Sequence, residues 1–305
     1  MASPRKLRLH VPASTSNVGP GFDTFSIALD TGLEVAYVEA EKTTLTRLGG
    51  LEESPLRTGQ DPVVRGLRRA ARLLGRKLPP GELTISAPYP PGRGLGASGS
   101  GLVAGLMLGN RLCGGDLPDA ALLEEAIALE GNPENALAAL KGGAHWSVAD
   151  GKGGYLHLPL VLHRNLRFLL VIPPYPMVTA EARKVLPQTV PHALAVRQMQ
   201  KGPLLLRGLR SLDPEMIRLG LKDELHVAAR LPLLAGAKAM IGFAEDAGAL
   251  GATLSGAGSA LLVLTRTGQM RDLEARLKSR VARLWGESGQ VLGARLQPKG
   301  AAFLR

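Results

Sequence analysis

The chain has 305 residues, 45% of them hydrophobic and 21% charged, and a formal net charge of +11. This composition provides for packed cores in one large or two ordinary domains and excludes a disordered chain. No apolar run reaches the ~18 residues that span a bilayer, so no membrane partner is expected, while the basic balance favours anionic partners, either nucleic acid or a phosphate-bearing molecule such as ATP.

The first residues are basic, with no acid before Asp23, yet they lack the apolar core of a signal segment. Leu7, Leu9 and Val11 alternate with Lys6, Arg8 and His10, the pattern of a half-buried strand over 5–11. "PASTSNVGPGFD", residues 12–23, then reads as a polar, glycine-bearing loop with little to bury. Strands are predicted near 33–40, 43–48 and 82–87, with a helix at 61–75. On that helix Leu67, Ala70, Ala71 and Leu74 share one face, and the arginines of "RGLRRAARLLGRK" take a solvated one. Helices follow at 98–112, at 118–130, opened by Pro118 and Asp119 and stopped by Gly131, and at 134–141. Strands return near 143–149, 154–158 and 166–172, and "IPPYP" at 172–176 suggests a boundary. Helices dominate to about 247, before a glycine-rich strand–turn–strand at 250–265, a helix near 269–285 and a last strand or two. Runs of strands with inserted helices predict an α+β chain. Cys113 is the only cysteine, which excludes an intrachain disulfide and points to a reducing, cytoplasmic compartment.

The strongest chemical signal is "PYPPGRGLGASGSGLVAGLMLGN". A strand leads into it and an apolar helix leaves it. Its glycines clear the backbone for close approach, and the helix start offers unpaired N–H groups with the positive end of the dipole, so phosphate is the expected guest. Ser98 and Ser100 add hydroxyls in the first turn. No Gly-Lys-Ser or Gly-Lys-Thr is present, so this is no P-loop. Gly94, Gly96 and Gly99 match G-x-G-x-x-G, but prolines separate them from the strand, and the only nearby acids, Asp116 and Asp119, lie between helices. A nicotinamide-dependent dehydrogenase is therefore a weaker reading.

Glu130 falls on the same helical stripe as Leu123, Ala126 and Ile127. A carboxylate there is costly unless it is paired or bound to a cation. Either it turns to water at a frayed terminus or it meets a metal such as magnesium, which takes one or two carboxylates beside phosphate and hydroxyl oxygens. Asn135, in the first turn of the next helix, is either a capping residue or one placed to hold a hydroxyl.

These blocks resemble the GHMP kinases. "GRGLGASGSG" is similar to their second motif and "LSGAGSA", from Leu254 to Ala260, to their third. "PASTSNVGPGFD", "EGNPENALAALKGG" and "TAEARKVLP" resemble the homoserine kinase family in particular. The blocks run in order from residue 11 to about 260. The resemblance implies a ribosomal-protein-domain-2-like amino-terminal domain, 1–165, a ferredoxin-like carboxy-terminal domain, 166–305, and an active site between them. It implies ATP-dependent phosphorylation of L-homoserine with Mg2+, a step toward threonine, and a homodimer as the family analogue. Carried over by position, Pro91, Gly92, Arg93, Gly94, Leu95, Gly96, Ala97, Ser98, Gly99 and Ser100 would wrap the nucleotide phosphates. Ser98 and Glu130 would hold the metal, and Asn135 the reacting hydroxyl. Asn17, Asp23 and Gly256 would line the substrate pocket, with Asp23 near the amino group, and Arg183 and Arg230 would bind the carboxylate.

Three positions depart from the family pattern. Ala97 precedes Ser98 where two serines are usual, Asn132 stands for His, and Glu134 for Asp. No lysine–aspartate pair of the mevalonate kinase sort is evident, so the hydroxyl proton is expected to leave through phosphate oxygens or water. Rival readings are another GHMP kinase with a different alcohol, and a basic nucleic-acid binder, which gives Glu130 no role.

Overall fold

The computed structural model describes residues 4–304. Three strands open the chain: β1 (Lys6–Ser16), β2 (Phe25–Glu39) and β3 (Thr44–Gly49). Helix α1 (Pro62–Leu73), strand β4 (Gly81–Ala87) and helices α2 (Ala97–Leu112), α3 (Asp119–Glu130) and α4 (Glu134–Lys141) follow. Next come β5 (Ala144–Ala149), β6 (Tyr155–Leu160) and β7 (Leu166–Ile172). The helical stretch holds α5 (Thr179–Lys184), α6 (His192–Ser211), α7 (Pro214–Gly220), α8 (His226–Arg230) and α9 (Ala237–Asp246). The chain ends with β8 (Gly251–Leu254), β9 (Leu261–Arg266), α10 (Met270–Trp285), β10 (Gln290–Ala294) and β11 (Ala302–Leu304).

The strands form two sheets. The first runs β11-β1-β2-β4-β3, with β5 on the start of β2 and β6 beyond β5. The second runs β10-β7-β9-β8, all antiparallel. In chain order that is 4-1-3-2 with helices in the two crossovers, the ferredoxin-like arrangement. The chain changes sheet at β7, and β11 pairs Arg8, Leu9 and His10 of β1, so the last strand returns to the first sheet. Strand β7 faces two cores. Leu166, Phe168, Leu170 and Ile172 join the core of the first sheet, and Leu169 and Val171 pack with Met240, Ala244, Leu273 and Leu277 of α9 and α10.

Local chemistry accounts for the elements around the cleft. Asp61 caps α1, its carboxylate accepting from the Val63 amide at 3.0 Å, and Pro62 takes the first helical position. α1 crosses α2 closely because Gly66 and Gly105 face each other: a Cβ on Gly105 would collide with the Val63 carbonyl. This glycine serves helix packing, outside the phosphate-binding loop.

The expected loop at 12–23 is corrected. Residues Pro12 to Ser16 continue β1 against β2, Pro12 opposite Gly32 and Ala13 to Ser16 opposite Leu29 to Ser26, with a register shift between Pro12 and Ala13 that accommodates the proline. All of them are buried. Two of the polar side chains find partners across the fold: Ser14 Oγ donates to Asn135 Oδ1 at 2.9 Å, and Ser255 Oγ donates to Thr15 Oγ1 at 2.9 Å. Among the described residues no single helix is long and apolar enough to cross a membrane.

Candidate active site

A cavity of about 280 Å3 opens where the loop after β4, the start of α2, the end of α3, the start of α4 and the turn after β8 converge. The loop reaches it through left-handed glycines. Gly96 has φ 67°, and a Cβ there would run into Ser14 Oγ. The turn delivers the N-terminus of the 16-residue α2 to the cavity. The Ser100 amide makes the first intrahelical bond, to Gly96 O at 2.9 Å, so the amides of Ala97, Ser98 and Gly99 lack helical acceptors. Among the described residues they donate to no other backbone or side-chain group. An anion binds such a helix start through amides and dipole together.

Beside it, Ser98 Oγ donates to Glu130 Oε2 at 2.9 Å. Burial raises the Glu130 pKa above its ordinary value, against the Ser98 hydrogen bond and the nearby Arg65 charge. A desolvated carboxylate and a hydroxyl form an oxygen-only donor set suited to a hard cation. No group of three His, Cys, Asp or Glu side chains gathers among the described residues. A cation here would thus take further ligands from a bound molecule, which is how magnesium sits with phosphates.

The opposite wall is cationic. Arg183, from α5, grips Asp23 with two bonds of 2.7 and 3.0 Å. Arg230 is 1% exposed, its Nε donating to Ala182 O at 3.0 Å and a terminal nitrogen reaching Gly256 O at 3.4 Å. The Phe22 ring lies against both guanidinium groups, at 5.3 and 5.1 Å. Burial, then the Arg183 charge, lowers the Arg230 pKa to about 10, so it remains a cation at neutral pH. His226 Nε2 lies 2.7 Å from Gly19 O and therefore donates there, which leaves Nδ1 to accept from Arg230 at 3.3 Å.

Between the two walls stands Glu134, which sequence reasoning recorded only as a departure from pattern. It is 2% exposed, and its Oε2 is buried with no hydrogen-bond partner. Its Oε1 accepts weakly from Asn135 Nδ2 at 3.4 Å. Burial pushes its pKa up to about 7, with the charges of Asp23 and Glu130 adding to the rise and Arg183 opposing it. The signal was present in the sequence: Glu134, Leu137 and Ala138 fall on one buried stripe of α4, the same pattern that singled out Glu130.

A second cavity, about 300 Å3, adjoins the first and shares Arg65, Gly92, Ala97 and Ser98 with it. Leu33, Leu51, Leu56, Ile85 and Tyr89 line its interior. It has the apolar walls and size suited to a flat ring, a feature sequence reasoning did not find.

The structure brings Asn17, Ser98, Glu130, Asn135, Arg183, Arg230 and Gly256 to one cavity, with Gly92, Gly94, Leu95, Gly96 and Ala97. Asp23 is held at its edge through Arg183. Asn17 is bound within its own loop, Oδ1 accepting from the Asp23 amide at 2.8 Å, and both residues adopt positive φ. One expectation is corrected. Ser100 turns away from the cavity and donates to Pro12 O at 2.7 Å, because two residues along a helix is more than half a turn from Ser98. Arg93 also lines the cavity, with its guanidinium donating to Pro91 O and Pro174 O at 3.1 Å. Pro91 lines the second cavity, and Gly99 packs against Asn135.

The chain matches the family model for the GHMP kinases N terminal domain over residues 63–143. It is 36% identical to a homoserine kinase of Synechococcus sp. (strain RCC307), over 96% of this chain and 94% of that one. The chain belongs to the homoserine kinase family. A homoserine kinase of Thermus thermophilus is 37% identical over 86% of this chain and 88% of its own length. The crystal structure of a homoserine kinase from Cytophaga hutchinsonii superposes with a TM-score of 0.85 at 25% identity, covering 100% of this chain and 99% of that one. The fold extends to an L. major mevalonate kinase solved with R-mevalonate, TM-score 0.74 at 16% identity over 98% of both chains. The matched segment 63–143 contains the glycine loop, Glu130, Glu134 and Asn135, the residues that this family member places around one cavity.

Proposed function

We propose that this chain transfers the γ-phosphoryl group of ATP to the side-chain hydroxyl of L-homoserine, with magnesium, in a cleft between a domain of residues 1–165 and one of 166–305. The observation that carries the reading is the polarity of the cavity. Free helix amides and the Ser98–Glu130 pair occupy one end, and Arg183, Arg230 and Asp23 the other. Such a site suits a polyphosphate facing a small zwitterion. The apolar second cavity accommodates the adenine. Ser98 and Glu130 would hold magnesium, which would supply charge neutralisation for the transferred group.

The chain's own residues do the rest. The amides of Ala97, Ser98 and Gly99 bind phosphate oxygens. Arg183 and Arg230 supply planar donors for a carboxylate, and Asp23 an anion for an ammonium. Asn135, held by Ser14, orients the hydroxyl. Glu134 Oε2, buried and unpartnered, accepts the hydroxyl proton as the oxygen attacks phosphorus and the bond to the leaving ADP oxygen breaks. This replaces the expectation that the proton leaves only through phosphate oxygens or water.

The rival dehydrogenase reading fails on topology. A dinucleotide fold needs the strand before the glycine loop and the strand after its helix to pair in parallel, whereas here the next strand, β5, pairs antiparallel with β2 and β6 and not with β4. A coupled assay with ATP, Mg2+ and a panel of homoserine, mevalonate and galactose tests the proposal. Turnover with homoserine alone is the expected outcome. Turnover with mevalonate or the sugar and none with homoserine would overturn the acceptor.

A further inference from the structure

Five arginines line the two cavities: Arg65, Arg93, Arg183 and Arg230 the first, Arg47 and Arg65 the second. Four of them are committed within the protein. Arg47 pairs with Asp61 at 3.0 Å, Arg93 is tied to the carbonyls of Pro91 and Pro174, Arg183 holds Asp23, and Arg230 is buried on Ala182 O. Arg65 differs. It projects from the exposed face of α1, and among the described residues it makes only a 3.4 Å contact to Leu129 O and no ion pair. It is also the only charged side chain, among the described residues, common to both cavities. Leu129 precedes Glu130, so this free cation stands where the ring cavity meets the Ser98–Glu130 corner.

We propose that Arg65 binds the phosphate chain of the nucleotide as it passes from the apolar cavity to the α2 N-terminus, and so sets how far the terminal phosphoryl reaches. The inference rests on the ATP reading above. A guanidinium held only by a 3.4 Å contact to a carbonyl, beside the Glu130 charge but in no ion pair, gives up little when a phosphate arrives, and its planar fork matches two phosphate oxygens. The α2 amides act on the end of the chain nearest Gly96. In the apolar cavity the other cation, Arg47, is paired with Asp61, so Arg65 is the cation without an ion pair there among the described residues. In the sequence it sat in an arginine-rich face that reads as solvated. Of its neighbours there, Arg69 pairs with Glu125 across to α3, Arg76 is bound to the Cys113 and Gly114 carbonyls, and the exposed Arg68 and Arg72 line neither cavity.

The test is the binding of adenosine, AMP, ADP and ATP to the full chain by calorimetry, for wild type, Arg65→Gln and Arg65→Lys. The expected result for Arg65→Gln is a loss of at least about tenfold in ADP and ATP affinity with adenosine changed less than about twofold, the lost interaction being charge-assisted. Arg65→Lys should recover part of that loss. The melting temperature of Arg65→Gln should match wild type, because the side chain is exposed and fills no core. Equal losses for adenosine and ATP would assign Arg65 a packing role and overturn the proposal, as would unchanged ATP affinity in Arg65→Gln. No acceptor enters the measurement. A wild type that binds ATP without phosphorylating homoserine would sink the acceptor assignment and leave Arg65 standing. A wild type that binds no adenine nucleotide would sink both.

Discussion

The two ends of the cavity are built on opposite principles. At the α2 end the binding groups stand free: three amides without helical acceptors, and Arg65 without an ion pair among the described residues. At the Arg183 end every group is satisfied by another. Asp23 is bound by Arg183, Arg230 by Ala182 O, and the Asn17 oxygen by the Asp23 amide. A phosphate chain therefore enters a prepared anion site, whereas a zwitterion has to substitute for an ion pair the protein already makes. Affinity at the first end comes from charge that waits, and selectivity at the second from the need to replace both partners of a pair at once.

Glu134 lies between these ends and carries the largest expected effect. Glu134→Gln should lower kcat by ~10^2–10^4, the range for removing a general base, with the affinity for ATP unchanged. Wild-type kcat/KM should fall as pH drops below about 7, the value to which burial raises this carboxyl. That acid limb should vanish in Glu134→Gln. Stability should respond in the opposite sense. A carboxyl raised in the folded state contributes fully below its unfolded pKa and loses that contribution as pH rises through about 7. Glu134→Gln should then melt above wild type at pH 8, by the equivalent of about 2–3 kcal/mol, and close to it at pH 4. Thermal melts at both pH values, beside the rate profiles, check this. A mutant that melts lower and keeps the acid limb would make Glu134 a structural residue.

Glu130→Gln comes next and probes the free end. Loss of the carboxylate at the Ser98 corner should cut magnesium-dependent turnover by ~100-fold, a few kcal/mol of transition-state stabilisation. The effect should be greatest at limiting Mg2+, with the KM for homoserine nearly unchanged. Turnover equal to wild type at limiting Mg2+ would remove Glu130 from the metal site and break the contrast between the ends.

Legibility in the sequence followed the range of the interactions. Elements closed by local devices were readable. Asp61 and Pro62 start α1, and Gly131 stops α3 in a left-handed turn with φ 91°. Glu130 was readable because its stripe is a property of one helix. The extent of β1 was not, since Ser14, Thr15 and Ser16 have loop composition and become strand residues through partners on α4 and after β8. The opposite fates of Ser98 and Ser100 needed only helical geometry, but which of the two faces the cavity depends on where β1 passes. Glu134 was readable by the argument used for Glu130. The Asp23–Arg183 pair was not, because its members lie 160 residues apart and each suggests a separate substrate contact.

That pair gives the smallest expected effect and the sharpest test of the comparison. Both side chains are partly exposed, at 29% and 37%, so solvent screens their attraction and the bond itself adds little stability. Its consequence lies in binding. Asp23→Asn leaves the Arg183 cation without its partner, and the substrate then meets an unbalanced positive site. Arg183→Gln leaves the reverse. Each change should raise the KM for homoserine about tenfold with kcat within about threefold, the signature of lost ground-state binding. The double mutant should lose less than the product of the two, because it removes both charges together and leaves neither uncompensated. The KM for ATP should stay constant through the cycle. If the two losses simply multiply, Asp23 and Arg183 contact the substrate independently, and the closed end is not a stand-in for the zwitterion. If the KM for ATP rises with that for homoserine, the ends are coupled and the division between a prepared anion site and a self-paired acceptor site does not hold.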